Sequence, residues 1–163
     1  MSDLALATAV RIQPAEGADI AVAHALFLEY ARSLDVSLSF QGFDRELATL
    51  PGAYAPPHGR LLLARQGAEV AGCVALRPLE ADRCEMKRLY LRPPFRGQGI
   101  GRDLAEATIA EARAIGYRSI CLDTLASMDA ARAMYASLGF RAIPAYYDNP
   151  LPGVLYAALD LTR

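Results

Sequence analysis

The amino-acid sequence predicts one α/β (α+β) domain, a mixed and mostly antiparallel sheet of about seven strands with helices on both faces. The chain has 163 residues, of which 53% are hydrophobic and 21% charged. A chain of about 150 residues buries roughly 68–70% of its unfolded surface, so it can build one substantial core. Strands and helices alternate strictly only in the second half of the chain, which favours a mixed sheet over an all-parallel one.

The hydrophobic pattern predicts the element order β-α-α-β-β-β-α-β-α-β-β. Gly67 and Ala68 separate two apolar runs and indicate a hairpin. Asp19 is the expected N-cap of the first helix, and Gly116 and Gly139 end the third and fourth helices. We expect strands at residues 7–12, 60–66, 69–76, 83–91, 117–125, 140–143 and 154–160, and helices at residues 20–34, 44–50, 99–115 and 128–138. One domain should span residues 1–163, with its core at about 8–161.

Composition argues against several classes of protein. The 17 basic and 18 acidic residues give a net charge of −1, without the basic excess of a nucleic-acid binder. No apolar run reaches the ~18–20 residues that cross a bilayer, and the first residues do not resemble a signal peptide, so we expect a cytoplasmic protein. Cys73, Cys84 and Cys121 lack metal-ligand spacing, and the two histidines, His24 and His58, lie far apart in the sequence. We therefore expect buried, reduced thiols and no metal site.

The segment Arg96-Gly-Gln-Gly-Ile-Gly101 follows a predicted strand and opens a predicted helix. Glycine lets a ligand approach bare N–H groups, and a helix N-terminus attracts anions. The wider window from Lys87 to Arg102 contains five basic residues and no acidic residue: Lys87, Arg88, Arg92, Arg96 and Arg102. The pattern predicts a phosphate site, the alternative being a solvated basic surface beside an ordinary glycine turn.

Two common phosphate motifs do not fit. The chain has no G-K-[ST] triplet, which a P-loop requires. In the dinucleotide motif G-x-G-x-x-[GA], the sixth position would be Arg102 or Leu104, and neither is small. Asp123 does lie about 20 residues further on, where a ribose-binding acid is expected. A nicotinamide-dependent oxidoreductase therefore stays an alternative.

The pattern Arg96-x-x-Gly99-x-Gly101 resembles the pyrophosphate motif of the GNAT superfamily, the acyl-CoA-dependent N-acyltransferases. The element order resembles that fold over nearly the whole chain. Residues 84–91, CEMKRLYL, resemble the family's central fourth strand. Residues 134–140, MYASLGF, resemble its later helix and place Tyr135 34 residues after Gly101.

The resemblance implies acetyl-CoA as the co-substrate, without a metal. The backbone of the fourth strand would pair with the pantetheine arm and polarise the thioester, and the loop N–H groups would hold the pyrophosphate. The implied donor-site residues are Leu89, Tyr90, Leu91, Arg96, Gly97, Gln98, Gly99, Ile100 and Gly101, with Arg102 or Arg92 for phosphate charge and Thr124 for pantetheine.

The resemblance also implies two catalytic groups. Tyr135 would protonate the departing thiolate, since a phenol is protonated at neutral pH; the alternative is a tyrosine packed on the sheet. Glu85 lies where the histone-modifying branch carries a glutamate base. It would deprotonate the amine, directly or through one water, or anchor the acceptor. The alternative is an ion pair with Lys87 or Arg83. Strand alternation predicts Glu85, Lys87, Leu89 and Leu91 on one face.

The implied reaction is direct transfer of an acetyl group to a primary amine in a ternary complex, without a covalent intermediate. The acceptor, a small molecule or a peptide, would enter near residues 30–43 and 145–153. There, Tyr146, Tyr147 and Asp148 could form an aromatic, acidic lip or simply a turn. The sequence leaves open the acceptor, the acyl chain and a homodimer. A CoA-binding sensor without turnover is a further alternative, which the presence of Tyr135 and Glu85 disfavours.

Overall fold

The computed structural model describes residues 9–34, 37–38 and 42–163. Its strands are β1 Val10–Pro14, β2 Arg60–Gln66, β3 Glu69–Glu80, β4 Arg83–Leu91, β5 Ser119–Leu125, β6 Arg141–Ile143 and β7 Val154–Asp160. Its helices are α1 Asp19–Ser33, α2 Phe43–Ala48, α3 Ile100–Ile115 and α4 Asp129–Ser137, with 3-10 turns at Gly52–Tyr54 and Pro93–Phe95. The strands form one sheet in the order β1-β2-β3-β4-β5-β7-β6. The predicted fold class and element order are confirmed.

Three local predictions need correction. The first strand runs later than predicted, from Val10 to Pro14, and residues 7 and 8 of the prediction lie outside the described part. Asp19 is the first residue of α1 and not its N-cap, which is Ala18; the Asp19 carboxylate binds Arg65 of β2 at 2.6 Å. Strand β3 continues to Glu80 and turns into β4 through Ala81, whose φ is +47°. No glycine marks that turn, so the sequence placed the strand end too early.

The sheet separates two hydrophobic clusters. Helix α3 covers one face, where its apolar side packs against β2, β3 and β4; the buried side chains include Ile100, Leu104, Ile109, Leu76 and Met86. Helices α1 and α2 cover the other face, with Leu26, Phe27, Phe43, Leu63 and Cys73 buried there. Gly116 ends α3 in the left-handed region, at φ +108°, as its position after the helix predicted.

Strand β4 contains a β-bulge at Arg88. Ala75 of β3 faces Lys87 and Cys73 faces Tyr90, so two steps along β3 correspond to three along β4. Arg88 itself has φ +62°, a conformation that is uncommon and costly for a bulky residue. A bulge adds one residue to a strand and shifts the facing of its side chains.

Arg88 is held in place by a buried ion pair. Its guanidinium donates two hydrogen bonds to the carboxylate of Glu46 in α2, at 2.9 and 3.1 Å, and its side chain is 2% exposed. The rings of Tyr30 and Phe43 lie 5.9 and 5.2 Å from the guanidinium carbon. These contacts tie the strained backbone of β4 to α1 and α2.

The bulge overturns the predicted alternation along β4. Glu85 lies opposite Arg77 of β3, and Lys87 lies opposite Ala75. Both side chains are on the face of the sheet that α1 and α2 cover. Leu89 and Leu91 pack against the α3 cluster, together with Met86. The prediction that all four side chains share one face is therefore wrong, because the extra residue reverses the facing after Lys87.

Strands β4 and β5 form the one parallel pair of the described sheet, and they pair over only three residues each, 83–85 with 119–121. Beyond this point β4 continues to Leu91 and β5 to Leu125 without pairing to each other. The sheet therefore opens into a cleft between the two strands.

We predict that Glu46→Gln destabilises the protein by about 3–5 kcal/mol, because it leaves the Arg88 charge buried and unpaired. The measurement is urea-induced unfolding monitored by circular dichroism. Glu106→Gln is the matched control, since Glu106 pairs with Arg102 on the surface of α3 and its side chain is 52% exposed. That change should stay within about 1 kcal/mol. Equal, small effects of both substitutions would contradict the role given to the Arg88 ion pair.

Candidate functional site

The cleft between β4 and β5 is the candidate site. Its walls come from α1, β4, β5, α4 and the segment before β7, and they include Tyr30, Lys87, Leu89, Asp123, Thr124, Tyr135 and Asn149. Tyr135, Leu89 and Thr124, predicted from separate parts of the sequence, meet here. Residues 35–36 and 39–41 of the predicted acceptor entrance lie outside the described part of the chain.

Tyr135 lines the cleft from α4. Its ring packs 5.7 Å from that of Phe140, centroid to centroid, and its hydroxyl makes no hydrogen bond with the described residues. Burial raises the pKa of Tyr135 above its usual value, and the nearby Tyr30 and Asp123 act in the same direction. The hydroxyl therefore keeps its proton at neutral pH and can donate it.

Thr124 reaches the cleft from the unpaired part of β5. Its hydroxyl donates to the sulfur of Met128 at 3.5 Å, a weak bond that a better acceptor could replace. On the opposite wall, the backbone of residues 89–91 has no partner from β5. A bound chain could pair with this free edge in the manner of an added strand.

The glycine loop lies between the end of β4 and α3. Phe95 is buried in the α3 cluster and anchors the loop. Gly97 and Gly99 have φ values of +80° and +82°, which favour glycine, whereas Gly101 is helical. The N–H of Arg96 donates to the carbonyl of Pro93 at 3.2 Å. The loop N–H groups open to an anion therefore begin at Gly97 rather than at Arg96.

The first turn of α3 adds to this site, because the first N–H groups of a helix have no partner within it. Gly99 is the N-cap of α3, and no side chain caps the helix there. A Cβ on Gly97 or Gly99 would meet no atom within 4 Å, so space for a ligand lies above the loop. This geometry suits a phosphate.

The five basic residues of the window do not form one surface. Arg88 is buried with Glu46, and Arg92 makes a bidentate ion pair with Glu29, at 2.8 and 3.0 Å. Arg96 lies on the Tyr90 ring at 5.9 Å and donates to the carbonyl of Leu91. Of the two arginines predicted to meet phosphate, Arg92 is committed to Glu29.

Arg102 remains near the loop on the surface of α3. It donates to Glu106 at 3.0 Å and to the Ser137 hydroxyl of α4 at 2.7 Å. Gln98 lies across from β2, where its side-chain oxygen accepts from Gln66 at 3.3 Å. Both side chains are exposed beside the glycine loop, where they could contact an anion that the loop binds.

Glu85 is fully enclosed, with 1% of its side chain exposed. Arg77 donates to Oε1 at 2.8 Å, and the Tyr146 hydroxyl donates to Oε2 at 2.6 Å. The ammonium of Lys87 lies 3.9 Å from Oε2. The ion pair with Lys87 that the sequence left open is thus present at long range. Arg83 instead binds Glu80 at 2.6 Å.

The tyrosines of the loop before β7 turn inward. Tyr146 binds Glu85, Tyr147 donates a short hydrogen bond to Oδ2 of Asp123, and both rings pack on Tyr156. Asn149 donates to the same Asp123 oxygen at 3.3 Å. Asp148 is exposed and points to no described partner in this network. The two tyrosines therefore bind the carboxylates of Glu85 and Asp123, and of these four residues only Asp123 lines the cleft.

Sequence reasoning missed Arg77 and Asn149 as site residues, and it assigned Asp123 only to the nicotinamide alternative. Arg77 faces Glu85 directly across the β3–β4 hairpin. Cross-strand pairs of opposite charge are typical of antiparallel strands, but finding this one requires the register of the hairpin. The turn at Ala81, which no glycine marks, concealed that register.

The three cysteines are free and buried, as predicted. Burial raises the pKa of the Cys84 thiol to about 12 and that of Cys121 to about 11, so neither is a thiolate at neutral pH. Among the described residues, no cluster of His, Cys, Asp and Glu is arranged to hold a metal ion. In the same part of the chain, no helix has the length and apolar character to span a membrane.

Comparisons with known proteins agree with this geometry. Residues 23–140 match the model of the acetyltransferase (GNAT) family. An uncharacterised N-acetyltransferase of Schizosaccharomyces pombe is 41% identical over 140 residues, which cover 85% of this chain and 86% of that protein.

Solved structures show the same fold. A GNAT-family acetyltransferase from Staphylococcus aureus Mu50 superposes with a TM-score of 0.78 at 18% identity, covering 94% of this chain and all of that one. A Salmonella typhimurium acetyltransferase, solved with acetyl-CoA, has a TM-score of 0.67 at 20% identity and covers 94% of each chain. With the family model spanning most of its length and a relative of this similarity, the chain belongs to the acetyltransferase (GNAT) family.

Proposed function

We propose that this protein is an N-acetyltransferase that moves the acetyl group of acetyl-CoA directly to a primary amine. The observation that carries the proposal is the cleft where β4 leaves β5, with Tyr135 on its wall and the glycine loop at the end of β4. A single catalytic domain over residues 1–163, a cytoplasmic location and a homodimer stay predictions. Family membership leaves the nicotinamide alternative without support.

Acetyl-CoA fits three features of the cleft. The N–H groups from Gly97 to Gly101, with Arg102 beside them, suit the pyrophosphate. The free edge of β4 at residues 89–91 suits the amides of pantetheine, with Thr124 opposite. The cleft beyond them suits the thioester. A Salmonella protein of the same fold was solved with acetyl-CoA, which supports the choice of this ligand.

The transfer itself needs a proton donor and a proton acceptor. A neutral amine attacks the thioester carbonyl, an oxyanion forms beside the N–H groups of β4, and the C–S bond breaks. Tyr135 gives its proton to the departing thiolate, so that CoA leaves as a thiol. Because burial raises the pKa of Tyr135, this hydroxyl stays protonated throughout the neutral range.

The amine must lose a proton, since alkylamines have pKa values of about 10.4. Both oxygens of Glu85 already accept hydrogen bonds, one from Arg77 and one from Tyr146. We therefore assign Glu85 a base role that acts through a water or through the Tyr146 hydroxyl rather than by direct contact. Anchoring of the acceptor is the competing role.

The direct test is to mix the purified protein with acetyl-CoA and a panel of amines, and to follow free CoA with a thiol reagent. Calorimetric titration with acetyl-CoA separates binding from turnover. We expect saturable binding and amine-dependent release of CoA. Binding without release for any amine would favour a CoA sensor, and the absence of binding would reject the proposal.

Gly99→Val should weaken acetyl-CoA binding, because valine disfavours the φ of +82° and its side chain would occupy the space of the pyrophosphate. Gly116→Val is the matched control: it lies at the other end of α3, at φ +108°, also in open space. Both variants should lose about 1–2 kcal/mol of stability. Only Gly99→Val should raise the calorimetric Kd; an unchanged Kd in the folded variant contradicts the assignment of this loop.

Tyr135→Phe should lower kcat by about 10²–10⁴-fold with little change in the Kd of acetyl-CoA, because it removes the proton donor. The raised pKa places any loss of this proton above pH 10, so the wild-type rate should not fall with rising pH in the neutral range on account of Tyr135. Tyr117→Phe is the control, since that hydroxyl binds His58 away from the cleft.

A thioester with a more acidic thiol needs less help from a general acid. The Tyr135→Phe defect should therefore shrink with such a donor. An equal defect with both donors would assign Tyr135 to packing instead.

Glu85→Gln keeps the size of the side chain but removes its basicity. If Glu85 accepts the amine proton, kcat should fall by about 10²–10⁴-fold. The acidic limb of the pH–rate profile, where protonation of the base lowers the wild-type rate, should move or vanish. Glu80→Gln, on the exposed end of the same hairpin, is the control. A wild-type kcat with an unmoved acidic limb would leave Glu85 as part of a structural ion pair.

A further inference from the structure

We propose that the acceptor is a free amino acid, bound as a zwitterion with its carboxylate on Lys87 and its amino group beside Asp123. This inference rests on the proposed function and narrows the substrate class of the same cleft. It is carried by two opposite charges on facing walls, neither of which is fully satisfied within the described part of the chain.

Lys87 provides the positive charge. Its side chain is 3% exposed, yet it lines the cleft. Its nearest charged contact among the described residues is Oε2 of Glu85, at 3.9 Å, which is beyond hydrogen-bonding distance. That oxygen is already bound by Tyr146, and the other one by Arg77. An ammonium has three donors, and a buried cation is costly unless those donors are used.

Asp123 provides the negative charge on the β5 wall. Tyr147 and Asn149 both donate to its Oδ2, and no described residue donates to Oδ1. The remaining charged residue of the cleft lining, Arg88, is neutralised by Glu46. The lining therefore presents one cation and one anion on opposite sides, a pattern complementary to a zwitterion.

The same arrangement disfavours other amines. The N-terminus of a peptide and the side chain of a protein lysine carry no carboxylate next to the reacting amine, so either would leave Glu85, at 3.9 Å, as the nearest anion to the buried Lys87. Burial lowers the pKa of Lys87, whereas Glu85 and Asp123 act to raise it. A bound carboxylate would also favour the ammonium form, so binding of the acid and the charge on Lys87 support each other.

The test compares each L-amino acid with its amide in the CoA-release assay at saturating acetyl-CoA. An amide keeps the amine and the side chain but lacks the negative charge. For the best acceptor, we expect kcat/KM for the acid to exceed that for the amide by about 10- to 100-fold. This factor corresponds to the free energy of one hydrogen bond to a charged group. Amides that react as well as the acids, or better, would overturn the proposal.

Lys87→Met replaces the ammonium by an apolar side chain of similar length and should bring the acid-to-amide ratio close to one. Lys87→Arg keeps the charge and should retain part of the preference. The melting temperature and the Kd of acetyl-CoA check that both variants fold and bind the donor. If Lys87→Met lowers kcat/KM equally for the acid and for the amide, Lys87 acts in proton transfer or in structure. Recognition of the carboxylate by Lys87 is then rejected.

The panel also separates this inference from the proposed function. If acetyl-CoA binds and simple amines release CoA while no amino acid does, the amino-acid proposal is wrong and the acetyltransferase proposal stands. If acetyl-CoA does not bind, the acetyltransferase proposal fails, and the substrate class fails with it.

Discussion

The buried ion pair between Arg88 and Glu46 is the interaction on which the site depends. Arg88 adopts a positive φ, which costs of order 1–3 kcal/mol unless its surroundings enforce it. Two hydrogen bonds that Arg88 donates to Glu46, together with the rings of Tyr30 and Phe43, hold it in this conformation. The bulge that results sends Leu89 and Leu91 to the α3 side while Glu85 and Lys87 stay on the α1 side. Strand β4 thereby presents apolar side chains and unpaired backbone groups near its end, and charged side chains near its start.

The separation of β4 from β5 turns this strand into a binding surface. A strand within a sheet has partners on both sides, but β4 loses its β5 neighbour after residue 85 and keeps only β3. Backbone groups left without a partner in a sheet are satisfied by water or by a ligand. The cleft therefore offers a backbone edge, and the proposed donor can use it whatever the side chains of residues 89–91 are. That independence explains why two leucines and a tyrosine can serve there without their side chains taking part.

Much of the fold could be predicted because its signals are local. The apolar periodicity of α3, Gly116 at its end and the hairpin turn at Gly67 each act within a few residues, and all three hold in the structure. The glycine loop was predicted from its pattern and Tyr135 from the family resemblance; Tyr135 lines the cleft, and the loop follows the end of β4. The Arg88 bulge was not predictable in this way, since nothing in the local sequence requires a positive φ at an arginine. Its cause, Glu46, lies 42 residues away, and the pairing of Arg77 with Glu85 likewise depends on a register that only the folded hairpin defines.

The basic window shows why a run of like charges is a poor guide to an electrostatic surface. Its five arginines and lysines suggested one phosphate-binding patch, yet a carboxylate from another element neutralises Arg88 and another neutralises Arg92. Lys87 lines the cleft, and its ammonium lies 3.9 Å from Glu85. The charge near the loop that no other element neutralises comes from Arg96, from Arg102, whose partner Glu106 lies exposed on the same helix, and from the N-terminus of α3. Attraction of a pyrophosphate then depends more on oriented N–H groups, whose positions the backbone fixes, than on mobile side chains. Lys87, which lies 3.9 Å from Glu85 and lines the cleft, is the residue that we propose recognises the acceptor, so one short stretch of sequence would serve both the donor and the acceptor.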